Sequence, residues 1–292
     1  ARSDIALLYR SNAQSRVLEH ALFSAGIPYR VYGGLRFFER QEVKHALAYM
    51  RLIANPHDDT AFTRVVNFPT RGIGARSLEQ LQDAAQAHGT SLYGALNFLT
   101  GKAAQSVGHF IDLVDQLRFA CEGLKLPEMV EQVLELSGLR AHYKSEKEGQ
   151  ERIANLDEII NAAANFIAEE GYAQVAAEDE SAPPDPLSAF LSHASLEAGE
   201  HQADAGQSAV QLMTVHSAKG LEFDVVFITG IEEGLFPHEQ SLSDADGVEE
   251  ERRLMYVAIT RARQRLYLAF SQTRMLHGQT RYHVKSRFVD EL

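Results

Sequence analysis

Hydrophobic residues follow one pattern at the two ends of the chain and another in its middle. The first forty residues predict a strand, a helix and a strand, in IALLY (5–9), RVLEHALFSAG (16–26) and YRVYGG (29–34). Gly26 is the expected C-terminal cap of the helix. One apolar stripe of this helix is predicted to face the core, and it consists of Val17, Leu18, Ala21, Leu22 and Ala25.

The middle of the chain, from about residue 40 to residue 206, has almost no strand pattern. Apolar residues recur there at three- and four-residue spacing in 41–54, 109–121, 128–136 and 152–168. This spacing is typical of amphipathic helices, so we predict a helical domain of about six or more helices.

The last part of the chain returns to strands, in VQLMTV (210–215), DVVFITG (224–230) and RLYLAF (265–270). Their apolar runs are continuous, as in strands that a parallel sheet buries on both faces. A helix is predicted around 249–263. The sequence therefore predicts an α/β fold in which a parallel-sheet domain is interrupted by an all-helical insertion. Its boundaries are 1–39 and 207–292 for the sheet domain and 40–206 for the insertion.

Composition and length agree with a soluble protein of more than one domain. The chain has 292 residues, of which 45% are hydrophobic and 23% charged. No apolar run approaches the roughly 18–20 residues of a membrane helix, so no membrane partner is expected. The single cysteine, Cys121, excludes an internal disulfide and is expected in the core. A reducing, cytoplasmic location follows. Because the chain starts at Ala1 and enters a strand within a few residues, we expect it to be a piece of a longer protein.

Charge is distributed unevenly along the chain. The net charge is −12, yet nine acidic residues and no Lys or Arg lie in 169–204, whereas 252–289 holds nine Lys or Arg and no acidic residue. The acidic tract includes SAPPDP (181–186) and is predicted to be a solvated linker. The basic tract keeps a nucleic-acid partner open despite the negative total.

The stretch LMTVHSAKGLEF (212–223) is the first candidate for chemistry. A Gly–Lys pair near a strand end suggests phosphate binding, but no G-x-x-x-x-G-K-[ST] loop occurs in the chain. The strand 225–228 ends in Thr229 and Gly230 rather than in a magnesium-binding Asp. No His or Cys cluster has metal-ligand spacing. The chain alone is therefore not predicted to hold a triphosphate and Mg²⁺.

Two further stretches carry positive charge. EEERRLMYVAITRAR (249–263) is expected to project Arg253 and Arg261 from one helix, either as an arginine finger toward a phosphate or as a solvated face with Arg–Glu pairs. TRGIGARSLEQL (70–81) places Gly72 and Gly74 before a helix, so that backbone amides can approach a phosphate to which Arg71 adds charge. The alternative for this stretch is a helix-capping turn.

LMTVHSAKGLEF (212–223) and EEERRLMYVAITRAR (249–263) together resemble motifs V and VI of superfamily 1 helicases of the UvrD/Rep/PcrA type. The same family is matched by LYRSNAQSR (8–16), YGGLRFFERQEVKHALAYMRL (32–52), NFPTRGIG (67–74), EEGLFP (232–237) and TRMLHGQTRYHVKSRF (273–288). The resemblance implies a RecA-like domain, 2A, that holds a helical insertion, 2B. It also implies that the Walker A and B motifs lie in a separate N-terminal RecA-like domain.

The resemblance also implies roles for individual residues. Glu222 would contact the nucleotide ribose beside Gly220, and Arg261 would be the finger to the γ-phosphate. Single-stranded DNA would be gripped by Arg10, Asn12, Thr214 and His216, which follow strands in the predicted sheet. Duplex DNA would be held by Arg71, Gly72 and Gly74. His277 occupies the tip of a strand-separating hairpin, where the best-known members carry a tyrosine.

The function that follows from the resemblance is that of the C-terminal part of an ATP-dependent 3′–5′ DNA helicase in repair or replication. ATP and Mg²⁺ would be held mainly by the N-terminal domain, with none expected bound to this fragment. The expected partners are single-stranded DNA, a duplex junction, the N-terminal domain and repair proteins at the nucleoid. Four aromatics lie near basic residues, as platforms that stack on bases require, although most of them are expected to belong to the core. They are Tyr9, Phe37, Phe38 and Tyr282. The alternatives are a non-catalytic DNA-binding or regulatory module and, with less support, a nuclease-linked helicase subunit.

Overall fold

The computed structural model describes residues 1–147, 149–169, 185–199, 207–276 and 279–292. The chain divides into two compact units, one formed by Ala1–Arg40 with Leu196–Leu292 and the other by Gln41–Ser195. The second change of unit lies between Ser195 and Leu196, inside a helix, whereas the sequence placed it at residue 206. Most of the acidic tract 169–204 lies outside the described residues.

The first unit contains a five-stranded sheet in which every neighbouring pair is parallel. Its strands are β1 (Ile5–Tyr9), β2 (Tyr29–Val31), β3 (Val210–Thr214), β4 (Phe223–Ile228) and β5 (Ala262–Leu268), in the order β2-β3-β1-β4-β5. Leu7 in the central strand lies beside Leu212 on one side and Phe227 on the other. The predicted mixed α/β class with a parallel sheet is confirmed.

Ten helices are found in the described part of the chain. They are α1 (Ser15–Ser24), α2 (Gln41–Ala54), α3 (Asp59–Val65), α4 (Ala75–His88), α5 (Gly101–Ala120), α6 (Leu126–Leu136), α7 (Leu139–Lys144), α8 (Gly149–Glu169), α9 (Pro186–Gly199) and α10 (Gly247–Ile259). None of these helices is both long and apolar enough to cross a bilayer.

Helices α1 and α10 cover opposite faces of the sheet. On β1, Ala6 and Leu8 belong to the core that Met255 and Ala258 of α10 complete. Leu7 belongs to the other core, against which Leu18 of α1 packs. The period-two alternation of a strand therefore supplies both cores from one apolar run.

The expectation that RLYLAF (265–270) is buried on both faces is wrong. Strand β5 is the edge of the sheet, and its residues Arg263, Arg265 and Tyr267 are exposed. Tyr267 stacks on Phe227 of β4, with ring centroids 4.6 Å apart. An edge strand has a neighbour on one side only, so an apolar run there does not imply complete burial.

The apolar stripe predicted for α1 is only partly correct. Val17 is 47% exposed, while the most buried positions of the helix are the polar residues Ser15, Arg16 and Glu19. The Glu19 carboxylate accepts a hydrogen bond from the backbone amide of Phe37, and Arg40 Nη2 donates to Ser15 Oγ at 2.6 Å. Burial raises the pKa of the Glu19 carboxyl, although these neighbours oppose the shift. A buried polar cluster therefore replaces part of the expected apolar contact.

The second unit is helical, as the sequence predicts, and α2 has the predicted bounds 41–54. Val43, Leu47 and Met50 of α2 are buried. Cys121, at the end of α5, is 2% exposed, and burial raises the pKa of its thiol to about 11. It is a core residue, as expected.

A two-stranded antiparallel hairpin follows the sheet in the first unit. It consists of β6 (Thr273–Leu276) and β7 (Gln279–Tyr282). The predicted wedge residue, His277, lies outside the described residues.

Candidate functional site

The carboxyl ends of β1 and β3 bring four of the predicted residues to one edge of the sheet. Tyr9 and Thr214, the last residues of the two strands, are register partners, and the Val215 amide donates to the Tyr9 carbonyl at 2.9 Å. Arg10 and Asn12 follow β1 directly, and His216 follows β3. His216 is exposed, whereas the other predicted residues are half-buried. These polar residues therefore form the edge of the sheet at the carboxyl ends of β1 and β3, next to its apolar core.

Arg10 is held at this edge by Glu251 of α10. Its Nε lies 3.1 and 3.0 Å from the two carboxylate oxygens of Glu251, and its Nη2 donates at 2.7 Å. Glu251 is 3% exposed and also accepts hydrogen bonds from the His238 amide and the Ser241 hydroxyl. Burial alone would raise the pKa of Glu251, but these donors, Arg10 first, outweigh it and hold the pKa below its ordinary value. The guanidinium is therefore fixed in direction.

The backbone on both sides of Arg10 is fixed by Gln14. Gln14 Oε1 accepts hydrogen bonds from the amides of Arg10 and Ser11, at 3.0 and 2.8 Å. Its Nε2 lies so close to Gly230, after β4, that a Cβ there would come within 2.2 Å. Gly230 also has a φ of +69°. Both the lack of room for a side chain and this backbone conformation therefore require glycine at position 230.

Thr214 fixes the turn that follows β3. Its Oγ1 accepts a hydrogen bond from the Ser217 amide at 3.2 Å and lies 3.0 Å from the Ser217 hydroxyl. The half-buried hydroxyl of Thr214 is therefore engaged with its own turn, and the exposed His216 is the residue of this turn that faces solvent.

Gly220, Glu222 and Arg261 gather at the opposite edge, where β4 and β5 begin. Phe223 and Ala262, the first residues of these strands, are register partners, and the Phe223 amide donates to the Arg261 carbonyl at 2.9 Å. Gly220 has a φ of +86°. The structure thus brings together the three residues that the sequence assigned to a nucleotide.

Arg261 differs in two respects from the expectation. Helix α10 ends at Ile259, so Arg261 lies in the turn before β5 rather than on the helix. Its guanidinium does not project freely: it donates to the carbonyls of Val257 and Leu221, at 3.0 and 2.7 Å, and to Thr260 Oγ1 at 3.0 Å.

The neighbouring charges behave differently from Arg261. Arg253 is exposed and pairs with Glu250, one turn away, at 2.9 Å. For Arg253, a solvated face with an Arg–Glu pair is therefore the correct interpretation.

Glu222 is exposed, and its side chain makes no hydrogen bond or ion pair within the described residues. Its carboxylate is the open acceptor of this edge.

One short segment joins the two edges. It leaves β3 after Thr214, at the carboxyl ends, and enters β4 at Phe223, at the amino ends. Buried Val215 and Ala218 anchor it to the sheet core. The segment therefore carries His216 at one edge and Glu222 at the other.

In the second unit, Arg71 is a structural residue rather than an open cation. Its Nη1 donates to the carbonyls of Val65 and Pro69, at 3.2 and 3.0 Å, and its Nη2 donates to the carbonyl of Ser137 at 2.9 Å. The guanidinium carbon also lies 5.7 and 5.5 Å from the ring centroids of Tyr49 and Phe110. Three backbone oxygens thus engage its guanidinium in this structure, and the expectation that Arg71 also offers its charge to a phosphate stays a prediction.

The glycine turn beside Arg71 is open, as a close backbone approach requires. Gly72 has a φ of +74°, and no atom lies within 4 Å of a Cβ built at Gly72 or Gly74. Asn67 Oδ1 holds the turn by accepting from the amides of Arg71 and Ile73, at 2.8 and 3.1 Å. Gly74 is the N-cap residue of α4 and makes no side-chain cap hydrogen bond.

Arg76, in the first turn of α4, is the cation that the sequence interpretation missed. It is exposed and makes no hydrogen bond or ion pair in the described part of the chain. The sequence feature that could have identified Arg76 is its position two residues after Gly74, the second glycine of the turn.

Three of the four aromatics predicted to stack on bases are buried. Tyr9 and Phe37 are 0% and 1% exposed, and Phe38 is buried as well. Tyr282, on the hairpin strand β7, is 86% exposed. Only Tyr282 of this set presents a ring to solvent.

A family model described as the UvrD-like helicase C-terminal domain matches residues 1–273. This match includes both edges of the sheet and the whole helical unit. The chain belongs to this family. It is 51% identical over 300 residues to "DNA helicase II" of Escherichia coli (strain K12), which covers 100% of this chain. It is 43% identical over 303 residues to "ATP-dependent DNA helicase PcrA" of Bacillus subtilis (strain 168), which covers 99% of it.

The matched region is only part of each relative. It amounts to 40% of the length of the Escherichia coli protein and 39% of the Bacillus subtilis protein. As a member of the UvrD-like C-terminal family, the chain spans about two fifths of these relatives.

Proposed function

We propose that this chain is the C-terminal part of an ATP-dependent DNA helicase that moves 3′–5′ on single-stranded DNA and unwinds duplex DNA. The sheet unit is the RecA-like domain 2A, and the helical unit is the insertion 2B. Family membership supports this, as do the names of relatives that contain the whole matched region. We place the helicase in the cytoplasm, at the nucleoid, where it would act in repair or replication.

The observation that carries the proposal is the division of the predicted residues between the two edges of one sheet. Arg10, Thr214 and His216 lie at the carboxyl ends, where ligands bind in open parallel sheets. Glu222 and Arg261 lie at the amino ends of β4 and β5. A helicase needs a nucleic-acid grip and a nucleotide sensor that are connected, and the segment after β3 connects them directly.

The donor set at the amino-end edge fits only part of a nucleotide. The open Glu222 carboxylate can accept hydrogen bonds from ribose hydroxyls, and Arg261 can offer its guanidinium to a terminal phosphate once it leaves the Leu221 carbonyl. ATP bound with Mg²⁺ would supply the free energy for movement. No phosphate loop is present in the chain, so an N-terminal RecA-like domain outside it would hold most of the triphosphate.

The DNA contacts also divide into two sets. The carboxyl-end edge would grip single-stranded backbone through His216 and the fixed Arg10. In the helical unit, the open turn at Gly72 and Gly74 would admit a duplex phosphate to backbone amides, with Arg76 as the nearby cation. Arg71 would stabilise this turn through its hydrogen bonds to backbone carbonyls.

Arg261→Ala in the full-length protein tests the proposal. We expect ATP turnover stimulated by single-stranded DNA to fall by roughly 10³-fold, as losses of arginine fingers do, with folding retained. Arg253→Ala is the matched control and is expected to leave turnover unchanged. Unwinding of a 3′-tailed duplex but not of a 5′-tailed one checks the direction. Normal turnover in the Arg261 variant would refute the finger role, and DNA binding without any ATP turnover in the wild type would favour a non-catalytic DNA-binding module.

A further inference from the structure

Glu232 is a fully buried carboxylate at the base of the β6–β7 hairpin. It lies four residues beyond the end of β4 and is 0% exposed. Arg274 of β6 grips it with two parallel bonds, Nε to Oε2 at 2.7 Å and Nη2 to Oε1 at 2.7 Å. The Ser271 amide donates to Oε1 at 2.7 Å, and His283 Nδ1 lies 3.5 Å from Oε2.

The carboxylate is ionised in this setting. Burial alone would raise the pKa of Glu232, but the hydrogen bonds from Arg274 and Ser271 and the charge of Arg274 outweigh it and lower the pKa. A paired fork of this kind has one favourable geometry, because the guanidinium and the carboxylate are both planar. Breaking a buried pair also leaves an uncompensated charge, so alternative positions of β6 are disfavoured.

The return arm of the hairpin is fixed to the same short stretch. The Glu233 amide donates to the Val284 carbonyl at 3.0 Å, and the Ser286 amide donates to the Ile231 carbonyl at 3.0 Å. Residues 231–233 therefore hold both arms, β6 through the Glu232 side chain and the chain after β7 through backbone hydrogen bonds. The side-chain pair is the part that a point substitution can remove.

This anchor lies at the sheet edge assigned to single-stranded DNA. It follows the carboxyl end of β4, the direct neighbour of β1. Gly230, just before it, packs on Gln14, whose amide oxygen holds the backbone at Arg10. The hairpin is thus fixed to the same edge as the proposed grip on the single strand.

We propose that Glu232 is a positioning residue for strand separation: through Arg274 it holds the hairpin in one direction relative to the single-strand edge. This inference rests on the proposed helicase function. If the hairpin separates the strands, as the sequence resemblance implies, opening a base pair needs it aligned, whereas ATP hydrolysis at the opposite edge of the sheet does not. Loss of the pair should therefore separate hydrolysis from unwinding.

The test uses the full-length protein with Glu232→Gln, which keeps the shape and removes the charge. We expect the rate of unwinding of a 3′-tailed duplex to fall at least ten-fold, while the kcat of ATP hydrolysis on single-stranded DNA stays within two-fold. Glu233→Gln is the matched control, because the adjacent Glu233 pairs with Arg287 at 2.7 Å outside the hairpin. It is expected to change neither rate by more than two-fold.

A second variant and a local measurement separate positioning from folding. Arg274→Lys keeps a positive charge but loses the fork, and we expect a smaller loss of unwinding with normal hydrolysis. In Glu232→Gln, amide hydrogen exchange should accelerate in β6 and β7 and stay unchanged in β1 and β4. Parallel loss of hydrolysis and unwinding in both variants, or normal unwinding in both, would overturn the proposal. A wild-type protein that hydrolyses ATP but opens no duplex would instead refute the helicase function on which it rests.

Discussion

Arg71→Ala separates the structural role of this arginine from the DNA-binding role that its place beside a glycine turn suggests. The change removes a guanidinium that donates to three backbone carbonyls in two parts of the helical unit, namely Val65, Pro69 and Ser137. Those carbonyls belong to the segment before the turn and to the end of α6. We therefore expect the turn to lose its support and the unit to lose stability.

The expected loss follows from the contacts. A hydrogen bond from a charged donor contributes about 1.5 kcal/mol or more to stability, and three such bonds that share one group add less than their sum. The two ring contacts with Tyr49 and Phe110 add roughly 0.5–1 kcal/mol each. We expect the free energy of unfolding to fall by about 3–5 kcal/mol, a drop in Tm of roughly 6–20 °C.

The measurement is urea and thermal unfolding of this chain by far-UV circular dichroism, with duplex binding measured below the transition. Arg76→Ala is the matched control, because Arg76 is exposed and unpaired within the described residues. It should leave stability within about 0.5 kcal/mol and weaken duplex binding. If instead Arg71→Ala kept full stability and lost duplex affinity, Arg71 would be a direct phosphate contact and the structural interpretation would be wrong.

Three other predictions concern the separate sites. The purified chain is expected to show no Mg²⁺-dependent ATP hydrolysis above background, and a clear rate from a homogeneous sample would contradict this. The pKa of Glu251 is lowered in the folded protein, so its contribution to stability is present above its unfolded pKa and is lost as pH falls through the folded pKa. Glu251→Gln should therefore flatten the dependence of Tm on pH in this acid range. An unchanged slope would argue against the pair with Arg10. Gly72→Val should weaken binding to duplex DNA and spare single strands, because its φ is +74° and the side chain would occupy the open turn; equal losses on both would place the duplex site elsewhere.

The sheet and the helical unit could be predicted because both depend on apolar patterning. Strand-like stretches correctly gave the five strands, the continuous apolar runs in the last part of the chain correctly indicated a parallel sheet, and helical spacing correctly gave α2. The failures occur where burial is polar or one-sided. Helix α1 buries the charged residues Glu19 and Arg16, and β5 lies at an edge of the sheet. Apolar spacing reports neither buried charges nor a missing neighbouring strand.

The site could be predicted only as far as strand ends and turns determine it. Arg10 was placed correctly after β1, but its partner Glu251 is 241 residues away along the chain, and no local pattern predicts that pair. Arg71 shows the same limit, because its carbonyl partners come from backbone that the sequence does not distinguish. The one usable signal for Glu232 was a carboxylate just beyond an apolar strand.

Helix α10 connects the two edges of the sheet. Glu251, near its start, holds Arg10 at the carboxyl ends of the strands, and Arg261 follows its last residue at the amino ends. Ile259 lies eight positions after Glu251, which is about 12 Å of helix at 1.5 Å per residue. Arg261 also donates to the Val257 carbonyl, within the last turn of this helix. Its other carbonyl partner, Leu221, lies on the segment that carries His216. A ligand that drew Arg261 outward would therefore act on both connections between the edges, α10 and the segment after β3.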